Sequence, residues 1–550
     1  MSTTSRSEHT GGWALAALLG VFAANRAMPS AIAATATATT ATATTGPTDG
    51  AQRVKTYCGA CHLPDRQGVL ARIGDERKTP EGWVMTIFRM QNLHGLRLPA
   101  TARDTIVRYL ADTQGLAPSE AAPARFALER RPNVPDLRLP GDLQRMCARC
   151  HSAARIALER RTTADWLKNA NWHLAEFPTI EYQEGARDRH WWREASTQVP
   201  GELGRLFPLH SAAWTAWQHH APIDLAGRWL VRGDEPGRGA YWGRAEIRRT
   251  AADEYRTTYQ LQFADGKPLD GHSHAIVYTG YEWRGTATLG DRAVHEVFAA
   301  SPDGQRLAGR WFLADHAEIG ADWDAVRAGS APRIVLVSPR AIRAGTSARV
   351  TIFGEHLRGP IDLGAGLRVR VIHRDPGSLS LQVDAAPHAT PGERSVRVGG
   401  ASAPDALAVY DRVDRLEVTP AFAIARLGGG KIDPVAAQFQ VDAIEELPGR
   451  AGKPIALHLG ALPVAWSIAP FDAQAARDRD VDFAGRIDSR GRFLPAGAGP
   501  DPKRKYHADN TGDLDVVATL AAGAAGRPTP VVGKAHLVVT VQRWNTPPIY

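Results

Sequence analysis

The chain has 550 residues, 43% of them apolar, and a formal net charge of +8. That length accommodates roughly three to four domains, and the ordinary apolar share excludes both a disordered chain and a polytopic membrane protein. Lys and Arg alternate with acids along the whole length, and no basic block or aromatic stripe accompanies them, which argues against a nucleic-acid binder.

The N-terminus reads as a secretory signal. Arg6 opens a weakly cationic segment, Trp13 to Ala24 is a short apolar run, and Ala31-Ile32-Ala33 is a small-x-small cleavage site. The run is too short to span a bilayer. Residues 1–33 are therefore expected to be removed on export to the periplasm, with an uncleaved anchor as the alternative. Residues 34–49, largely alternating Ala and Thr, are expected to be a disordered leader.

Residues 50–212 read as helical and contain an internal repeat built on two C-x-x-C-H pentapeptides, Cys58-Gly59-Ala60-Cys61-His62 and Cys147-Ala148-Arg149-Cys150-His151. This is the c-type haem attachment signature. Two residues between the cysteines let both sulfurs reach one porphyrin edge, and the next imidazole falls under the iron. All four cysteines of the chain are consumed by the two motifs. Two covalent haems are thus predicted on Cys58, Cys61, Cys147 and Cys150, against thioredoxin-like thiol pairs or structural metal knots.

Each motif precedes a helical pattern, Glu81 to Met90 in the first copy and Ala164 to Lys168 in the second, where Thr162 or Thr163 is the predicted N-cap. Thr105 to Leu110 reads as a closing helix, and Ala117 to Pro140, with five prolines, as a linker. Placing Trp83 on Trp166 puts Met90 at the position of His173. The predicted iron ligands are His62 and Met90 for the first haem, with His94 as the alternative, and His151 and His173 for the second. Met85 and Met146 are weaker competitors. A thioether raises the potential relative to a second imidazole, so the two haems would differ.

From residue 213 to 330, short alternating runs such as Glu254 to Phe263 predict an antiparallel barrel-like domain. The high Trp density from Trp166 to Trp242 predicts packing at a domain junction. Residues 331–412, with Ile334 to Pro339 followed by Ala348 to Leu357, resemble an immunoglobulin-like module of the IPT/TIG type, and 413–550 read as a second such sandwich. No P-loop, H-E-x-x-H or nucleophile elbow is present. Gly428 to Lys431 reads as a turn, and His272 and His274 fall two apart on a strand by routine geometry.

A helical domain with two such motifs followed by three β domains is similar to the large α subunit of quinohemoprotein amine dehydrogenase. Local stretches carry the likeness: Pro80-Glu81-Gly82-Trp83, Arg89-Met90-Gln91, His94-Gly95, Leu128 to Asn133, Asp165 to Lys168 and His173 to Tyr182. The resemblance implies a periplasmic heterotrimer. In it a small γ subunit carries a cysteine tryptophylquinone that oxidises primary amines, and a β-propeller subunit packs beside it. The diheme chain passes electrons to a blue-copper protein or cytochrome c. This chain would then hold no catalytic residue of amine oxidation. A stand-alone diheme peroxidase or a redox sensor is the rival expectation.

Overall fold

The computed structural model describes residues 47–177, 189–449 and 452–542. The signal expected over residues 1–33, the leader expected over 34–49 as far as residue 46, and part of the motif from His173 to Tyr182 lie outside them; the last three leader residues, 47–49, are not a disordered leader but open a helix.

The first domain holds α1 (Pro47–Cys58), α2 (Pro80–His94), α3 (Ala100–Thr113), α4 (Pro118–Ala121), α5 (Arg125–Leu128), α6 (Asp142–Cys147), α7 (Ala153–Ala157), α8 (Thr163–Glu176), α9 (Trp191–Thr197), α10 (Val199–Leu206) and α11 (Ala212–Gln218). Helices α1 and α6 each end at the first cysteine of a motif. Helix α1 lies against α3 at Gly50, where any Cβ would stand 2.4 Å from that of Tyr109.

The expectation of an all-helical domain needs one correction. Strands β1 (Glu76–Lys78) and β2 (Glu159–Arg161) form an antiparallel ribbon pairing Glu76 with Arg161, Arg77 with Arg160 and Lys78 with Glu159. These charged triplets lack the apolar alternation that signals a strand; their buried charges are met within the ribbon, where Glu76 pairs with Lys78 and Arg161 and Glu159 with Arg161, and by Glu120 of the intervening α4, which meets Arg77 and Arg160.

The ribbon exposes the symmetry of the repeat. Glu76-Arg77-Lys78-Thr79 and Glu159-Arg160-Arg161-Thr162 sit at the same distance before Trp83 and Trp166. The register pairs Arg77 with its own counterpart Arg160, so a pseudo-two-fold axis passes between them. Thr79 caps α2 by accepting from the N–H of Gly82 at 3.3 Å, and Thr162 caps α8 by accepting from that of Asp165 at 3.1 Å, which settles the cap on Thr162. Lys78 lies 5.3 Å from the Trp83 ring and Arg161 5.4 Å from the Trp166 ring.

The second domain is a closed barrel of eight antiparallel strands, β3 (Gly227–Glu235), β4 (Gly239–Arg249), β5 (Glu254–Phe263), β6 (Gly271–Tyr278), β7 (Glu282–Leu289), β8 (Arg292–Ala300), β9 (Arg306–Leu313) and β10 (Gly320–Arg327), with β10 returning to β3. Every second residue of β5 faces inward, and Trp229, Tyr241, Tyr255, Trp283, Phe298 and Trp311 fill the interior. Glu296 is buried among them, accepting from Tyr259 Oη at 2.6 Å and Trp283 Nε1 at 2.9 Å. An eight-stranded barrel is just wide enough to be filled by side chains, and this one is a packed support. His272 and His274 lie on its outer face.

The helical domain is bolted to the barrel through polar contacts. The Thr279 N–H donates to Asp112 at 2.7 Å, Tyr281 Oη to the Leu116 carbonyl at 3.2 Å, and Arg108 pairs with Glu254 at 2.8 Å. Arg284 pairs with Glu81 in the first turn of α2. Helix α11, within the stretch assigned by sequence to the barrel, packs Trp214 under the Arg77 guanidinium at 5.0 Å.

Two further β units follow. Across residues 333–410, two four-stranded sheets enclose one apolar core. Across 415–540, a four-stranded and two three-stranded sheets enclose another. Among the described residues no helix is long and apolar enough to cross a membrane.

Candidate haem site

None of the four cysteines is in a disulfide among the described residues. Burial, with the neighbouring Cys61 adding to it, pushes the Cys58 thiol up, and burial together with Glu202 pushes Cys147 up to about 12. Thiols held neutral in this way suit a thioether better than a thiolate–metal knot, where the sulfur must ionise.

In each motif the histidine is oriented by a backbone carbonyl. His62 Nδ1 donates to Ala71 O at 2.9 Å, and His151 Nδ1 to Ser152 O at 3.1 Å. His173 Nδ1 donates to Asn169 O, one turn back on α8, at 2.8 Å. A ring fixed through Nδ1 presents Nε2 as the ligand nitrogen. Burial lowers the pKa of both His151 and His173, keeping the rings neutral as metal ligands must be.

The His151 and His173 rings lie with their centroids 6.4 Å apart, tilted by 45° to each other. A first-row metal–imidazole bond is about 2 Å, and the ring centre lies roughly 1 Å beyond the nitrogen, so one metal between two rings separates them by about 6 Å. The observed gap therefore fits a single iron. A second observation concerns Trp166, whose Nε1 is buried with no hydrogen-bond partner among the described residues. Its counterpart Trp83 donates to Gln114 O at 3.2 Å. Trp166 packs in the cluster that includes Cys147 and Ala148, and a haem propionate is the class of acceptor its N–H lacks.

The first motif is less closed. Met90 is half-buried and His94 exposed at the C-terminal end of α2, and neither is joined to His62 by a hydrogen bond or ring contact among the described residues. Among the described residues His94 has no carbonyl tether of the kind that holds His62, His151 and His173. Met146 is buried in the apolar cluster beside the second motif, and Met85 is half-buried on α2. Leu63, the neighbour of His62 in the chain, and Val69 expose apolar side chains, the kind of surface a porphyrin face covers.

Two linker residues escaped the sequence reading. Asp136 accepts from Ser152 Oγ at 2.6 Å and from the Ala153 N–H at 2.7 Å, holding the turn whose carbonyl orients His151. Glu120 on α4 accepts both guanidinium nitrogens of Arg77 at 2.9 Å and Arg160 Nε at 3.3 Å, so one carboxylate serves both arginines of the axis. The repeated Glu-Arg-Arg/Lys-Thr quartet was the available signal for the axis; nothing local marked the carboxylates that serve it.

Comparison with known families bears on the whole chain. Residues 48–214 match the family described as quinohemoprotein amine dehydrogenase A, alpha subunit, haem binding. Residues 222–328, 331–411 and 416–549 match domains II, III and IV of the same alpha subunit. No curated protein matches. Among solved structures, a redesigned β-barrel, mFAP1, bound to DFHBI is 17% identical over 19% of this chain and 94% of its own, at a TM-score of 0.17. The Bacteroides ovatus glucan-locus protein SGBP-B, in complex with a mixed-linkage heptasaccharide, is 11% identical over 55% of this chain and 62% of its own, at 0.17. Those scores carry no argument about this chain. With haem-binding residues in the first domain and the other three domains matched in order, the chain belongs to the quinohemoprotein amine dehydrogenase alpha-subunit family.

Proposed function

We propose that this chain is the diheme electron-transfer subunit of a periplasmic amine dehydrogenase. It would receive electrons from a cysteine tryptophylquinone on a small γ subunit, beside a β-propeller subunit, and deliver them to a soluble blue-copper protein or cytochrome c. The observation that carries the reading is the duplicated motif arranged about one axis, with His151 and His173 spaced for an iron.

Bound haem supplies one-electron chemistry at an iron whose potential its ligands set. The chain's residues do the rest. Cys58, Cys61, Cys147 and Cys150 would anchor the porphyrins, and His62 and His151, each held by a carbonyl, would each offer a nitrogen to the iron. Met90 and His173 are the distal ligands of this reading. Apolar packing of Trp83 and Trp166 beside the motifs excludes water. The barrel and the two immunoglobulin-like sandwiches form the scaffold. Cleavage after Ala33 would leave the mature chain in the periplasm, where covalent attachment of c-type haem takes place.

The test is amine-driven reduction. Adding a primary amine to the native complex should reduce the haems, and adding it to the isolated chain should not. Reduction of the isolated chain by amine would contradict the assignment of the quinone to a partner. A peroxide-sensitive high-spin spectrum of the isolated chain would instead support a peroxidase.

A further inference from the structure

The axis that pairs Arg77 with Arg160 relates Arg89 to Trp172 by the same offset of the repeat, one residue before Met90 and one before His173. These two counterparts also touch each other: the Arg89 guanidinium lies 4.9 Å from the Trp172 ring centre. They form a second self-equivalent pair on the axis, between the helices that carry the two distal-ligand positions.

On its other side Trp172 meets the His173 ring edge to face, at 5.0 Å and 86°. The His173 ring is thus set from two directions, by the Asn169 carbonyl and by the Trp172 indole. Arg89 is half-buried, and its Nε donates to Met85 O at 3.3 Å. No carboxylate forms an ion pair with it among the described residues. Glu159 and Glu76 act on it through charge alone, opposing the burial that lowers its pKa, so a guanidinium stacked on an indole with no carboxylate bonded to it keeps part of its field, because a less solvated setting screens it weakly.

We infer that Arg89 and Trp172 act as one positioning unit between the two haems. Trp172 fixes the imidazole plane of His173, and the charge of Arg89, carried against the indole, makes the second haem easier to reduce. The inference deepens the diheme reading and rests on it. Adding an electron to that iron lowers its charge by one, so a nearby cation favours the reduced form; no bond or proton changes. If a propionate meets Arg89, removing the cation leaves that anion behind, and the sign is unchanged.

The steps from Arg89 to Trp172, to His173 and to an iron beyond it place the charge within about 13 Å of the metal. At an effective dielectric constant of about 20, a unit charge at that distance changes the ratio of reduced to oxidised haem roughly tenfold. For one electron that is 59 mV.

The experiment is a spectroelectrochemical titration of the haem-loaded full chain, with electron paramagnetic resonance of its oxidised form. Bis-imidazole ligation assigns the lower-potential step to the second haem. Arg89→Gln should lower that step by about tenfold in reduced-to-oxidised ratio while the low-spin spectrum persists, and Arg89→Lys should restore it. Trp172→Leu should alter the anisotropy of the low-spin signal as the His173 plane turns, whereas Trp172→Phe should retain it. Two haems per chain with an unmoved lower step in Arg89→Gln, or an unaltered signal in Trp172→Leu, overturns the inference alone. Fewer than two haems in the wild-type chain overturns the diheme reading, and the inference with it.

Discussion

Glu120 is the residue whose loss should damage the helical domain most. It lies on a four-residue helix of the linker, its side chain 8% exposed, and accepts from Arg77 twice, from Arg160, from Ser211 and from the Ala117 N–H. Replacing it with Gln leaves two buried guanidinium groups sharing a neutral amide. Breaking a buried ion pair from one side costs about 3 to 5 kcal/mol. Proton linkage gives a consistent figure. Burial acts to raise the pKa of Glu120, but the bonds from Arg77 and Ala117 and the charges of Arg77 and Arg160 outweigh it and hold it at about 2, against 4.5 ordinarily. That depression is equivalent to roughly 3 kcal/mol at neutral pH. For a domain of this size the loss corresponds to a fall in Tm of about 10 °C.

The pH dependence has a definite sign. A carboxylate with a depressed folded pKa contributes stability above its unfolded pKa of 4.5 and loses it as pH falls toward 2. The gap between wild type and Glu120→Gln, followed through denaturant melts monitored at the haem band, should be full at pH 7 and should close between pH 4.5 and 2. A gap below about 1 kcal/mol at pH 7, or one unchanged at pH 3, would refute the view that this carboxylate anchors the axis.

Met90→Ala should remove the weak sulfur-to-iron absorption at the red end of the oxidised spectrum; persistence of the band would assign the sulfur elsewhere. Asp136→Ala removes the acceptor of Ser152 Oγ and the Ala153 N–H. It should cost about 1 to 2 kcal/mol and broaden the low-spin signal of the second haem, with Asp136→Asn intermediate. Glu282 sits at the junction with the barrel, where burial, with Glu81 nearby, pushes its pKa up to about 7. A raised carboxyl contributes stability below its unfolded pKa of 4.5 that is lost as pH rises through 7, so the wild-type junction should weaken over that range; Glu282→Gln should weaken less, keeping only the share of Asp112, which accepts from the Thr279 N–H and which burial raises to about 6, as read by hydrogen-exchange protection factors at Thr279.

What the sequence revealed was local chemistry and local periodicity. The two pentapeptides are legible because haem attachment needs its residues within five positions. Helix α2 is legible because Trp83 and Ile87 recur on a buried face, and α8 because Trp166 and its cap Thr162 repeat the pattern of Trp83 and Thr79. Superposing Trp83 on Trp166 uses the same offset that the β1–β2 register later shows. The alternation in β5 announced a strand, but closure of the barrel depended on pairing Asp322 with Asp234, far apart in the chain. The ribbon itself was hidden because its strands are charged. Glu120 and Asp136 were hidden because each acts on residues that only the fold brings near, while five prolines disguised their segment as a passive connection.

The departures from symmetry are as informative as the symmetry. Duplicated halves around an axis would by themselves give two equivalent sites and no direction for charge to move. Here Lys78 stands where the other half has Arg161, and Met90 where it has His173. Trp83 is bonded to Gln114, whereas the buried N–H of Trp166 has no partner among the described residues. Arg89 faces Trp172 across the axis instead of a second arginine or a second indole. Each difference falls on an element that touches or adjoins a motif, and the shared ribbon holds the two halves in fixed relation. The linker can serve both halves with a single Glu120 because the axis brings Arg77 and Arg160 to one point. Symmetry thus supplies the spacing of the two halves, and the substitutions laid over it make them chemically unequal.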